Sequence, residues 1–560
     1  MGTLPYQTQP PSSSRNLPGY TWRLLLLGSL IVTGLFFQPW PLNRWLDNNF
    51  QAQCHGSVCA QPFPPANRST YSDAYDSPEF KKRSALRLSG AVKIPTMSFD
   101  DMGPIHEDER WKPFPEMHQY LETTFPIVHA HATREVVGGY SLVYTLEGSS
   151  SDLKPFMLMA HMDVVPALTA LDHWTYPPFE GKIDGDWLYG RGAADCKNNL
   201  IGILSALEHL LESGWKPRRS IVLAFGQDEE ISGHYGAASV GRHLTSRYGE
   251  QSFAMIVDEG GSGLDTVYGR DFAFPGVAEK GYLNAIITVE MAGGHSSVPT
   301  PHTSIGILSK IVSKLEDYEM FRPHIKRESP IWGYLNCVAT YGKKSQVPKW
   351  IQEAVASTKP DFDSIAKSFA ETSPPSRYLV QTSKVATIFN AGVKENAMAE
   401  AATVYFNNRI NIFSSTSEVA QRYTELILPI AKQYSLNLQG KSYSQEPSIG
   451  NITIEWNDPL EPSPISPTTI DNVAWESFMK AVQASFGSGV ITTPSGGTGN
   501  TDTRHFWNLT HNIYRWSPSR IGTRLNIHTV DEKIKIDTHI EGIRFYTELI
   551  LIVDEATDAF

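Results

Sequence analysis

Cysteine is scarce. The 560 residues contain only Cys54, Cys59, Cys196 and Cys337, which excludes a scaffold built on disulfides, and no CxxC pair offers a thiolate zinc site. Basic runs are missing as well. With a formal net charge of -11 and no cluster of Lys and Arg, the chain is no general binder of phosphate backbones, and no nucleic-acid partner is expected. Internal repeats are absent. The uncharged apolar run near the N-terminus, Leu24–Phe37, falls short of the roughly 20 residues that span an average bilayer. What is present is a globular composition, 41% apolar and 19% charged, in a chain long enough for two or three domains.

The short apolar run carries information of its own. Residues 1–21, rich in Pro, Ser, Gln and Thr, read as a cytoplasmic tail, and residues 22–40 as a signal anchor. Tyr20 and Trp22 flank the run on one side and Trp40 and Trp45 on the other, as at two membrane interfaces. Arg15 and Arg23 precede it without an acidic residue, and no small-x-small cleavage site follows it. A cleaved signal peptide is the competing reading. Residues 41–79 read as a stem, in which Cys54 and Cys59 could pair locally or stay free. Sequons at Asn67, Asn451 and Asn508 fit a glycosylated lumenal body.

Beyond residue 80 the pattern is α/β. Three continuous apolar runs read as buried strands that stop at acidic or His residues: Phe156–Ala160 before His161-Met-Asp163, Ile221–Phe225 before Gly226-Gln-Asp-Glu-Glu230, and Phe253–Val257 before Asp258-Glu259. Such strands require helices on both faces of a mostly parallel sheet. Asn199–Ser213, between the first two, has Leu and Ile at helical spacing. Ligands of open α/β sheets sit beyond the carboxyl ends of the strands, where all three polar clusters lie. After Gly281 a β-α-β-β-α-β order predicts an inserted ferredoxin-like α+β lid, interrupted by an excursion over 342–378. The expected division is a catalytic domain over 80–279 and 446–560, with the lid over 280–445 and a final helix near Ile540–Val553.

Single Asp, Glu and His residues on separate strand ends point to metal ligation. The candidates are His161, Asp195, Glu230, Asp258 and His528. Three carboxylates and two neutral imidazoles leave one positive charge on a pair of Zn2+ ions, enough to polarise a carbonyl. Asp195 sits in the glycine-rich stretch Tyr189–Asn199 before a helix, where a carboxylate can face outward.

Taken together, His161-Met-Asp163, Gly190-Arg-Gly-Ala-Ala-Asp195, Asp228-Glu-Glu230 with Gly233, Gly293-Gly-His295-Ser-Ser and His528 resemble, in order, the signatures of the aminoacylase/carboxypeptidase family of dizinc hydrolases, in particular its carboxypeptidase S branch. The resemblance spans roughly residues 100–550. It implies a zinc-exopeptidase-like catalytic domain binding two Zn2+ per chain. His161 and Asp258 would hold one ion, Glu230 and His528 the other, and Asp195 would bridge them. Glu229 would be the general base, Asp163 would orient His161, His295 would reach the scissile carbonyl, and Asn390 and Arg409 would bind the substrate's carboxylate end. Glu259 competes with Asp258 for its role. Gly496–Gly499 with Asp502 and Arg504 forms a further glycine-rich loop near the site.

The reaction implied is release of C-terminal amino acids from short peptides. An N-acyl-amino-acid hydrolase is the alternative, and a non-catalytic membrane receptor of the same fold the reading from another class. The resemblance also implies a vacuolar lumenal body on a single-pass type II anchor, against a secreted or cell-surface protein, and it allows a homodimer. His106, His118, His129, His131, His173 and His234 are read as ordinary.

Overall fold

The computed structural model describes residues 59–556 and Phe560. The expected tail, the anchor over 22–40 and most of the stem lie outside the described residues. No helix among the described residues is long and apolar enough to cross a membrane.

The core is an eight-stranded sheet. Its order is Thr133–Val137, Ser141–Leu146, Ile221–Gly226, Phe156–His161, Ile256–Asp258, Ile513–Arg515, Gly276–Glu279 and Ser495–Gly497. The four strands from Ile221–Gly226 to Ile513–Arg515 run parallel. The continuous apolar runs have a simple cause: alternate side chains serve opposite faces. Phe156, Leu158 and Ala160 pack with the helices Pro78–Val92, Lys197–Glu212, Val473–Phe486 and Ile536–Glu555. Met157 and Met159 pack on the other face with Val240 and Leu244 of the helix Ala237–Tyr248. The sheet is covered on both sides, as the sequence requires.

The second domain is a five-stranded sheet ordered Ser383–Ala391, Ala401–Ile410, Gly281–Met291, Gly450–Leu460 and Asn437–Leu438, packed under the helices Ser304–Asp317 and Thr416–Gln433. One expectation needs correction. The boundary at 446 falls too early, because Gly450–Leu460 pairs antiparallel with Gly281–Met291 along almost its whole length. The strand after the helix Thr416–Gln433, which closes the expected order, is only the two residues Asn437–Leu438.

The excursion is also larger than 342–378. Four helices, Pro330–Tyr341, Lys349–Ala356, Phe362–Ala370 and Pro374–Val380, share a core that includes Phe272 and Ile491. Its helix Pro330–Tyr341 is bound covalently to the N-terminal arm by a Cys59–Cys337 disulfide, with Cα atoms 5.2 Å apart. Neither reading of Cys54 and Cys59 foresaw this partner. The stem expected up to residue 79 is, from Cys59 onward, part of the body: Tyr75 is fully buried, and Gln61 Nε2 donates to the Thr492 carbonyl.

Candidate metal centre

His161 is the last residue of its strand, and its ring is buried at the carboxyl edge of the sheet. Nδ1 meets the Asp163 backbone carbonyl at 3.0 Å and Asp163 Oδ1 at 3.3 Å, which turns Nε2 outward. Asp163 is itself fixed. Its Oδ2 accepts from Ser98 Oγ and from the Glu230 N–H, and its Oδ1 from the Glu229 N–H. One buried carboxylate thus sets the ring of one expected ligand and the backbone that carries Glu229 and Glu230.

Around Nε2 the acids converge. Asp195 Oδ1 lies 3.3 Å away, Glu259 Oε1 3.1 Å and Glu229 Oε2 4.0 Å. The other oxygen of Asp195, Oδ2, lies 3.1 Å from His528 Nε2, which also stands 3.1 Å from Glu230 Oε1. Asp195 therefore sits between the two imidazoles with one oxygen toward each. Glu259, not Asp258, is the acid that His161 meets. Asp258 is buried beside it, its Oδ1 accepting from the Glu259 N–H at 2.8 Å while Oδ2 has no hydrogen-bond partner. Neighbouring side chains at a strand end leave on opposite sides, so one of the two acids faces the site and the other turns away.

The electrostatics of this cluster favour a cation. Burial pushes the Glu229 carboxyl well above the usual range, and it takes Glu230 up to about 7. Hydrogen bonds to Asp195 and Glu230 take His528 up to about 10. Crowded, desolvated acids hold protons or their neighbours' protons, and a divalent ion supplies the same positive charge. His161 Nε2 and Asp195 Oδ1 are buried without a hydrogen-bond partner. Nitrogen and carboxylate donors aimed at common points suit zinc and comparable divalent ions. The residues fit a divalent metal, with Glu259 standing where Asp258 was expected.

The cluster opens into a cavity of about 1240 Å³. Arg409 lines it, its guanidinium 4.6 Å from the centre of the Tyr282 ring and its Nη1 donating to Asn500 Oδ1. Gly496–Gly499 and Arg504 line it too, whereas Asp502 is buried behind it. So does His234, which the sequence gave no role. The excursion reaches it through Pro374, Pro375, Tyr378 and Leu379, an apolar wall that no sequence pattern announced. Lys280 anchors this wall: its buried Nζ donates to the carbonyls of Tyr378 and Gln381. His295 and Asn390 are not brought to the cavity. Both are exposed, His295 Nδ1 accepting from Ser297 and Asn390 lying on the strand Ser383–Ala391 opposite Thr403.

Residues 157–552 match the model described as Peptidase family M20/M25/M40. The chain is 37% identical to the uncharacterized carboxypeptidase C24C9.08 of Schizosaccharomyces pombe, covering 87% of this chain and 82% of that one. It is 36% identical to carboxypeptidase S of Saccharomyces cerevisiae, covering 95% of each. It is also 34% identical to the N-fatty-acyl-amino acid synthase/hydrolase PM20D1 of Xenopus tropicalis, over 84% of this chain and 86% of that one. The fold is like that of the M20 metallo-carboxypeptidase Sso-CP2 of Sulfolobus solfataricus, with a TM-score of 0.58 at 17% identity, covering 84% of this chain and 99% of that chain. The chain belongs to the M20/M25/M40 peptidase family.

Proposed function

We propose that this protein is a metal-dependent carboxypeptidase that frees C-terminal amino acids from short peptides. The observation that carries the proposal is the placement of Asp195 between His161 and His528, against the cavity that Arg409 also lines. In this reading two zinc ions would bind per chain: His161 and Glu259 would hold one, Glu230 and His528 the other, and Asp195 would serve both. Glu259 takes the place that the sequence reading gave to Asp258.

Ions held by these residues would supply Lewis acidity for polarising the scissile carbonyl and a water. Glu229 takes the proton from the water and passes it to the leaving amine. Asp163 keeps the His161 ring in register by holding its Nδ1 side. Arg409, its guanidinium held 4.6 Å from the centre of the Tyr282 ring, presents its fork to the substrate's terminal carboxylate. His295 and Asn390 remain proposed substrate contacts, supplied by a second copy in a homodimer. That assignment is supported by the edge strand Ser383–Ala391, which pairs on one side only and exposes Val385, Ile388 and Phe389. The Cys59–Cys337 disulfide supports an oxidising, lumenal setting, with a type II anchor over 22–40 and the vacuole as the compartment.

A second reading, hydrolysis of N-acyl amino acids, is favoured by the apolar wall of Pro374, Pro375 and Tyr378 and by the 34% identity to PM20D1. A panel of dipeptides and N-acyl amino acids, run with and without a chelator, tests both. Chelator-sensitive release of the C-terminal residue from dipeptides is expected. Turnover of N-acyl amino acids alone would replace the first reading with the second, and turnover indifferent to chelator would remove the metal.

A further inference from the structure

The loop that presents Asp195 is held from behind by an acid that has no place in the mechanism above. Glu532 lies four residues beyond His528 and is fully buried. Its Oε1 accepts from three N–H groups of the loop, those of Gly192 at 3.1 Å, Ala194 at 2.8 Å and Asp195 at 3.0 Å. Its Oε2 takes Nη1 of Arg191 at 2.6 Å. Gly192 has φ +86°, and a Cβ there would stand 2.7 Å from Val164 Cγ1, so the curl that turns these N–H groups toward one point needs glycine. Arg524, on the His528 side, closes the same junction by donating from Nε to the Ala194 carbonyl at 3.0 Å.

The segment between His528 and Glu532 is itself compact. Asn526 accepts from the Thr529 N–H and donates to the Asp531 carbonyl, and the Asp531 carboxylate accepts from Thr175. Three converging N–H dipoles and a guanidinium in a dry site call for an anion, and only a carboxylate satisfies all of them.

We infer that Glu532 is a positioning residue of the metal centre: it clamps the backbone of Asp195 to the segment that carries His528, so that two ligands distant in sequence are held at one spacing before any ion arrives. Asp195 then faces the ions with its side chain while its own N–H is committed to Glu532. The inference rests on the metal-centre reading of the proposed function.

The test is a zinc competition titration against a chromophoric chelator, together with thermal unfolding of the metal-free proteins. Glu532→Gln keeps the shape and removes the anion. It is expected to weaken zinc binding roughly 10–100-fold, the range seen when groups that orient ligands are lost. Glu548→Gln is the control, because Glu548 is equally buried but accepts from Ser69 and Ser72, away from the cavity. It should bind zinc as the parent does, whatever it does to unfolding. Parental zinc affinity in Glu532→Gln, or an equal loss in Glu548→Gln, would overturn the inference. Should Glu532→Gln give no soluble protein, Glu532→Asp, which draws the anion back by one methylene, carries the same two criteria. A parent protein that binds no zinc would instead sink the metal-centre reading itself.

Discussion

Glu259 Oε1 stands 3.1 Å from His161 Nε2, while the N–H of the same glutamate donates to Asp258 Oδ1 at 2.8 Å. Two adjacent acids at one strand end therefore do different work, one facing the cavity and the other bracing the turn. Glu259→Gln should lower zinc affinity by at least ~10-fold, and Asp258→Asn should change it far less. Metal content after dialysis against a weak chelator reads the difference. The opposite ranking would return the ligand role to Asp258.

Glu229 reaches the donor cluster without closing on either imidazole, its Oε2 lying 4.0 Å from His161 Nε2. Glu229→Gln is expected to keep its metal while kcat falls by roughly 10²–10⁴, the usual worth of a general base. Steady-state rates on a dipeptide, with metal content measured in the same sample, check it. Ordinary turnover would take Glu229 out of the reaction.

Tyr378 and Leu379 line the same cavity as Arg409, and Tyr378 is 41% exposed. The double change to Ala should cut kcat/KM for dipeptides ending in Leu or Phe by about 10-fold, because an apolar contact of this size is worth roughly 1–3 kcal/mol. Dipeptides ending in Ala should be nearly unaffected. Equal losses across the series would show that the wall supports the structure and does not select the substrate.

His539 is buried on the helix Ile536–Glu555, its Nε2 has no partner, and burial beside Arg87 lowers its pKa to about 4. The unfolded chain, with an ordinary imidazole near 6.5, binds the proton first as pH falls. Stability is therefore complete above about pH 6.5 and declines toward about pH 4, by up to about 1.4 kcal/mol per pH unit from this group. His539→Phe should flatten that limb in denaturant titrations at pH 4.5 and pH 7. An unchanged slope would assign the acid sensitivity elsewhere.

Much of this site was legible in the chain because its chemistry and its fold leave marks of the same kind. A buried parallel strand must be apolar throughout, so the residue that ends it stands out, and His161, Glu230 and the Asp258-Glu259 pair were all found this way. Asp195 and His528 came from ordered motifs, since nothing local says that a carboxylate will lie between two imidazoles 367 positions of chain apart in register. Where two acids adjoin, spacing does not choose between them, and only the direction of the Glu259 side chain did. Tyr378 escaped notice because a short helix in a polar excursion carries no periodic signal. Cys337 could not be matched to Cys59 because a pairing across 278 residues depends on how the excursion folds back. The strand Gly450–Leu460 was misassigned since pairing partners, unlike strand character, are not written locally.

The Cys59–Cys337 bond closes a covalent ring in the polypeptide, and the ring contains His161, Asp195, Glu229, Glu230 and Glu259. His528 is the one member of the cluster that lies outside it. An ion held by both parts would therefore be a cross-link between a closed loop and an open tail. Withdrawing it would leave the tail joined to the ring only by the strands and helices it lends to both sheets, and the metal-free protein should unfold at a lower temperature.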